Sequence, residues 1–478
     1  MRWLVLALVG AALAGCAELG GDDSAGDSPG GGAAGSELLS ISLDDLGPCR
    51  GQPRPKAYRC GRIELPFERA DPALGRISIG FAVRPRNERD RPSRGAIFAV
   101  EGGPGYSSTG TAASFQRLFR GFLDRRELVL VDMRGTGLSE PIRCPDVQLG
   151  TAPQPIAVGE CARRLGPRFE SYRTQAAADD LDDVREALGY EEITLYGDSY
   201  GTFLGQSYAF RHPEALDALV LDSAYPAFGE DPWYPNLTRT GIRLMDRACR
   251  RVASCTGDAG ARLERLVRWM RDQKYSVGPL LEAIAGAAYG GPTAYTKIDE
   301  AGTALRQGDR TAWRRLTYSL PHGYRHPRQY LHTAELVIGC NDYPMIWDRE
   351  ASEPERREQL EQAIRDYDRN AFEPFTPREV ALSANTGYLE CLTWPAPTEL
   401  YEPPVPEGAK PTDAPVLVVS GEFDDLTTPW EGGEVASLFP DAKHYVARDA
   451  GHVDALYYSQ RPAAREIRRF LRRELGGP

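Results

Sequence analysis

Apolar residues in this chain gather in short unbroken runs bounded by turn residues. Ala96–Val100, Leu128–Val131, Ile193–Tyr196, Ala218–Leu221 and Val416–Val419 are of this kind, and Ile77–Val83 alternates in part. Such β-branched runs suit strands buried on both faces of a parallel sheet. Between them the apolar positions recur with a helical period. Ala177, Leu181, Val184 and Leu188 share one face, Thr174 stands where an N-cap would, and Gly189 closes the segment. A second helix is predicted from just after Ser199 toward Arg211, ahead of Pro213. A last one covers Pro462–Leu475, with Ile467, Phe470 and Leu471 inward and arginines outward. Strands alternating with helices predict an α/β fold with a mostly parallel sheet. Over 226–409 helical stretches such as Ala261–Arg271 and Glu353–Asp368 dominate. This stretch is predicted to be a helical cap inserted between two sheet strands, dividing the core into 37–225 and 410–478.

The first residues follow neither pattern. Arg2 precedes an apolar run from Trp3 to Ala14, too short to span a bilayer as a mature helix. Leu13-Ala14-Gly15-Cys16 resembles the lipobox of bacterial lipoproteins. That resemblance implies removal of a signal peptide, 1–15, acylation of Cys16, and anchoring of an exported protein to a membrane through lipid. Residues 16–36 hold seven glycines and several aspartates. They read as a flexible tether of roughly 25 Å reach.

Composition narrows the class. The chain has 478 residues, and 57 basic against 68 acidic residues give 57 − 68 = −11. An acidic balance with no long basic run excludes nucleic acid as the expected partner. Setting Cys16 aside, eight of nine cysteines remain: Cys49, Cys60, Cys144, Cys161, Cys249, Cys255, Cys340 and Cys391. An even number in an exported chain predicts disulfides. The spacing leaves many connectivities open; sequential pairing (49–60, 144–161, 249–255, 340–391) is the expectation. No Cys-x2-Cys pair occurs, and His322 and His326 are flanked by Pro321 and Gly323 with no third ligand evident, so no metal is expected.

The chemistry centres on Gly197-Asp198-Ser199-Tyr200-Gly201, which follows a predicted strand and opens a predicted helix. A nucleophilic serine needs this sharp turn, with glycines where the backbone packs closely. It also needs a base held by an acid. Among six histidines, His452 sits in a loop before the last helix. His444 lies in an apolar run that reads as a strand, and His212 ends a helix. The acid should follow the strand Val416–Val419. Asp424 is favoured over its neighbour Asp425, giving the chain order Ser199, Asp424, His452. The oxyanion donors would be the backbone N–H of Tyr200 and that of Gly103 in Gly102-Gly103-Pro104-Gly105, since Pro104 has none.

These motifs together resemble the proline iminopeptidases. Glu101-Gly102-Gly103-Pro104-Gly105 is similar to their His-Gly-Gly-Pro-Gly. Asp132-Met133-Arg134-Gly135-Thr136-Gly137-Leu138-Ser139 is similar to their Asp-x-Arg-Gly-x-Gly-x-Ser. Gly421–Pro429 and Gly451-His452-Val453 resemble the acid and histidine loops. Cys340-Asn341-Asp342 and Cys391-Leu392-Thr393-Trp394-Pro395 resemble the exported tripeptidyl aminopeptidase branch. The resemblance implies an α/β-hydrolase fold with a helical cap. It also implies removal of residues from peptide N-termini by the triad above, with no cofactor. Asp132 and Arg134 would organise loops. Glu101 departs from the family's histidine, which bears on hydrogen bonding in the oxyanion loop and not on its backbone donors. An aminopeptidase must also bind the substrate ammonium; Glu101, Asp342, Glu230 and Asp231 are candidates. A carboxylesterase on the same fold, or a binding lipoprotein without catalysis, are the competing readings. The spacing sets no oligomeric state.

Overall fold

The computed structural model describes residues 40–49, 57–318, 330–383 and 389–476. The expected signal peptide, Cys16, the tether, His322 and His326 lie outside the described residues. Nine strands form one sheet: β1 Gly47–Pro48, β2 Arg59–Pro66, β3 Arg76–Arg84, β4 Ala96–Val100, β5 Glu127–Val131, β6 Ile193–Asp198, β7 Leu216–Asp222, β8 Val416–Gly421 and β9 Ala442–Ala447. Their order is β1-β2-β3-β5-β4-β6-β7-β8-β9. The first three neighbouring pairs are antiparallel and the other five parallel. This is the α/β-hydrolase fold.

The central strands form because every residue of β4, β5, β6 and β8 is buried, which is what continuous apolar runs predict. Ala218 and Val220 face one layer, with the helices Ala112–Phe119 and Pro462–Leu475. Leu219 and Leu221 face the helix Tyr200–Arg211 on the other side. Burying each such side chain contributes about 1.5–3 kcal/mol.

Two local readings differ from the sequence expectation. Thr174 is not the cap of its helix: Arg173 holds that position and Thr174 begins the helix, Thr174–Ala187. The Thr174 hydroxyl goes elsewhere, to Asp342 Oδ2 at 2.5 Å and the Tyr200 hydroxyl at 2.7 Å. β2 gave little signal because only Ile63 and Leu65 of its eight residues are buried. The chain between β7 and β8 contributes no strand to the sheet among the described residues. It carries helices instead, including Pro235–Arg251, Ala259–Asp272, Gly278–Ala287, Pro292–Arg306, His332–Asp342 and Glu353–Asp366.

All four sequential cystine pairs are present: Cys49–Cys60, Cys144–Cys161, Cys249–Cys255 and Cys340–Cys391. The chain order along the sheet reverses between β4 and β6, which are neighbours although β5 intervenes in sequence. A crevice opens at such a switch point, at the carboxyl ends of the strands. Gly102 follows β4 there and Ser199 follows β6.

Candidate active site

Ser199 joins β6 to the helix Tyr200–Arg211 with φ 51° and ψ −121°. That is a strained conformation for a residue with a side chain. The strain is held by close backbone packing that excludes side chains on either side. A Cβ at Gly197 would lie 2.0 Å from the Gly201 carbonyl oxygen, and one at Gly201 would lie 2.7 Å from that of Val100.

His452 Nε2 is 3.0 Å from Ser199 Oγ, and His452 Nδ1 is 2.9 Å from Asp424 Oδ2. The structure therefore brings the three side chains together in hydrogen-bonded sequence. Asp424 is fully buried. Its Oδ1 accepts the N–H groups of Leu426 and Thr427 at 3.1 and 3.0 Å, and its Oδ2 accepts the Thr427 hydroxyl at 2.9 Å. These donors fix the carboxylate so that one oxygen edge faces the imidazole. The His452 loop is pinned twice. Its own N–H donates to the Ala288 carbonyl at 2.8 Å, and the Val453 N–H donates to Ser223 Oγ at 2.8 Å. Ala288 belongs to the helical insertion, so the insertion helps place the histidine.

Asp425 turns away. A Cβ at Gly241 would lie 2.4 Å from its Oδ2 and 2.5 Å from Ile284, so its carboxyl is wedged among helices of the insertion. Burial, then the neighbouring Asp424 charge, push it well above the carboxylate range. His444 lies in β9, 3.0 Å from Ser420 Oγ, and His212 lies 3.0 Å from Asp179. Neither approaches Ser199 within hydrogen-bond distance.

The Tyr200 N–H opens its helix and has no acceptor within it. Gly102 lies against this turn: a Cβ there would be 2.7 Å from Ser199 Cβ and 3.2 Å from Tyr200 N. Gly103 comes next and lines the same cavity as Ser199 and His452. Behind it, buried Asp132 accepts from the Ser107 and Thr109 hydroxyls and from the N–H groups of Thr109 and Leu138. Arg134 is buried with Asp180 and donates to the Phe67 and Ser171 carbonyls. Both residues join loops to one another and stay out of the cavity.

The cavity, about 220 Å³, is lined by Gly103, Ser199, Tyr225, Glu230, Tyr234, Leu237, Tyr289, Glu335, Tyr343, Leu426, Thr427, Glu431 and His452. Three carboxylic acids and no lysine or arginine line it among the described residues. Glu230 Oε2 is buried without a hydrogen-bond partner among those residues. Burial and the charges of Glu434 and Asp231 push Glu230 up to about 7. Glu431 accepts the Thr428 N–H at 2.6 Å, and burial pushes it up to about 8. Glu335 is engaged by Tyr330 and His332. The Tyr289 ring stands edge-on to His452, with centroids 5.1 Å apart.

Of the four ammonium candidates, only Glu230 lines this cavity. Asp342 accepts the Thr174 N–H and hydroxyl. Asp231 accepts the Trp233 N–H. Glu101 is buried behind the oxyanion loop. Sequence reasoning missed Glu335 and Glu431. Both sit on helices that read as ordinary amphipathic or capping segments, with no local motif to mark them.

Residues 95–240 match the family described as "alpha/beta hydrolase fold", and residues 378–474 match "TAP-like protein". A tripeptidyl aminopeptidase of Streptomyces coelicolor is 30% identical over 203 residues, 38% of this chain and 37% of that protein. The serine protease Hip1 of Mycobacterium tuberculosis is 30% identical over 244 residues, 45% of this chain and 46% of that protein. The match thus spans less than half the length of these curated relatives. A solved proline iminopeptidase of Mycobacterium smegmatis superposes with a TM-score of 0.41 at 15% identity, over 87% of this chain and 99% of that one.

Proposed function

We propose that this α/β hydrolase, a distant homologue of the tripeptidyl aminopeptidases and Hip1, is a serine aminopeptidase. It would take a tripeptide or a proline-containing unit from the free N-terminus of a peptide. Ser199 attacks the scissile carbonyl while His452 accepts its proton. Asp424 holds His452 Nδ1 and stabilises the imidazolium that forms. The developing oxyanion is met by the N–H groups of Gly103 and Tyr200, each worth ~10²–10³ in rate. His452 then protonates the leaving amine, and water releases the acyl group by the same path.

The observation that carries this reading is the acidic lining of the cavity. Glu230, Glu335 and Glu431 share it with Ser199, and no lysine or arginine among the described residues offsets them. A half-dry acidic pocket next to the nucleophile suits a substrate that brings its own ammonium, because that cation favours the ionised form of the acid it meets. Glu230, with one oxygen unpartnered, is the group proposed to receive it. We propose further that the chain is exported and anchored through Cys16. The lipobox and the four cystines support this.

The test is hydrolysis of a tripeptide p-nitroanilide, free and N-acetylated, with p-nitrophenyl butyrate alongside, by wild type and Ser199→Ala. Turnover of the free peptide alone, lost in the variant, is expected. Ester turnover with neither peptide cleaved would make the chain a carboxylesterase.

A further inference from the structure

Behind the nucleophile the sheet carries a row of buried acids that acyl transfer does not use. Asp198 and Asp222 are register partners on β6 and β7. Val100 of β4 pairs with Gly197, so Glu101, one residue on, faces Asp198 from the opposite side. All three are 2% exposed. The row lies directly under the two segments whose separation sets the oxyanion hole: Gly102 follows Glu101, and Ser199 follows Asp198. Those segments touch, since a Cβ at Gly102 would be 2.7 Å from both the Asp198 carbonyl oxygen and Ser199 Cβ. The Gly102 N–H donates to the Asp198 carboxylate. The Glu101 N–H donates to Ser108 Oγ at 3.1 Å.

Adjacent strands lie about 5 Å apart, so acid side chains on the same face of neighbouring strands interact directly. With so little water they cannot all ionise, and such a cluster keeps protons instead. Burial, with the charges of Glu101 and Asp222, holds Asp198 well above the carboxylate range. Asp222 is pushed up to about 7 by burial, against the hydrogen bond it accepts from Tyr196 at 2.9 Å. A carboxyl facing a carboxylate makes a strong charge-assisted bond.

We propose that Glu101 and Asp198 share one proton, and that this bond clamps the oxyanion loop against the nucleophile turn. The proposal rests on the reading of Ser199 as nucleophile and Gly103 as donor. Glu101 and Asp198 are positioning residues, since neither lines the substrate cavity. While the proton is shared, Gly103 is held at the distance the oxyanion needs. When it is lost, two buried anions face each other and the loop is driven from Ser199. The other groups facing the Glu101–Asp198 pair are Tyr196 on β6, Asp222 on β7 and, beyond Asp222, Asp424, His452 and Asp454. His452 is the only one of these that can become a cation. It does so on the acid side, so an alkaline loss of reactivity belongs to the acids.

The experiment is the rate of covalent labelling by a fluorophosphonate between pH 6 and 9.5, resolved into its maximal rate and half-saturating concentration. This probe needs a serine and an oxyanion hole but no ammonium site. In wild type the maximal rate should fall at the alkaline end. Glu101→Gln supplies a permanent N–H donor of the same shape. It should keep the maximal rate within about threefold at pH 7 and move the alkaline fall up by at least one pH unit. Glu101→Leu removes the donor and should lower the maximal rate 10- to 100-fold, with half-saturation changed less than threefold. A flat wild-type profile, an alkaline fall unmoved in Glu101→Gln, or a wild-type rate in Glu101→Leu each overturns the clamp. Labelling that persists in Ser199→Ala overturns the nucleophile reading instead, so the two failures are distinct.

Discussion

Asp424 and Asp425 are adjacent in the chain and opposite in surroundings. Asp424 meets three donors besides His452, and together they fix its carboxyl toward the imidazole. Asp425 meets Gly241 and Ile284 of the insertion, and there burial and the neighbouring Asp424 charge outweigh the favourable Tyr295 hydroxyl. Spacing put both at the end of β8, where an acid belongs; which one turns to the histidine depends on partners far away in sequence. Asp424→Asn should therefore lower kcat by about 10⁴-fold, as in triads of this geometry, because the amide cannot hold the required histidine tautomer. Asp425→Asn exchanges one neutral group for another of similar shape and should change kcat less than a few-fold. Steady-state kinetics on the two variants decides it, and the reverse order would transfer the orienting role to Asp425. The same distance dependence explains Thr174. Its identity suits a cap, but its hydroxyl goes to Asp342, 168 residues further on.

At the scale of elements, legibility followed burial. β4 and β6 are buried throughout and were readable as continuous runs. β9 shows in the sequence only as the short apolar run at His444, because its burial is mixed and just one of its residues is fully covered. The insertion was legible as helical, but its grip on the His452 loop through Ala288 runs backbone to backbone and leaves no trace in residue type. Its cystines differ in the chain they close. Cys340–Cys391 spans 51 positions and ties the helix His332–Asp342 to the segment Leu389–Thr393, whereas Cys249–Cys255 spans 6. Loop-closure entropy assigns about 4 kcal/mol to the first and about 2 kcal/mol to the second. Calorimetry of Cys340→Ala/Cys391→Ala and Cys249→Ala/Cys255→Ala should thus show the larger fall in thermal midpoint for the former. Equal falls would mean that local packing, and not chain entropy, governs these bridges.

The chain has a formal charge of −11, and the fold keeps several of its acids where ionisation is costly. Asp198, Asp222, Asp425 and Glu431 are all raised, chiefly by burial, with Asp222 near 7 and Glu431 near 8. In the unfolded chain these groups ionise near pH 4. Between pH 4 and 8 the folded protein therefore holds more protons than the unfolded one, and stability falls as pH rises. Their contribution is complete below pH 4 and is lost as pH passes through the folded values. Asp179 works in the opposite sense. Hydrogen bonds from His212 and Arg211 outweigh its burial and hold it well below the usual range, so its contribution is present above pH 4 and lost on acidification. The balance places maximal stability on the acid side of neutrality. The urea midpoint should be higher at pH 5.5 than at pH 9. Self-repulsion of a net negative chain acts in the same direction, so the wild-type slope alone does not isolate the buried acids. Glu431→Gln does. It preserves the acceptor for the Thr428 N–H and removes one group titrating near 8. The fall in midpoint between pH 6 and 9 should become shallower in this variant, whereas a slope equal to wild type would mean that Glu431 is already ionised in the fold. The acid held neutral at this position would then be a charge facing the cavity at all working pH values, and the ammonium site would extend from Glu230 to Glu431.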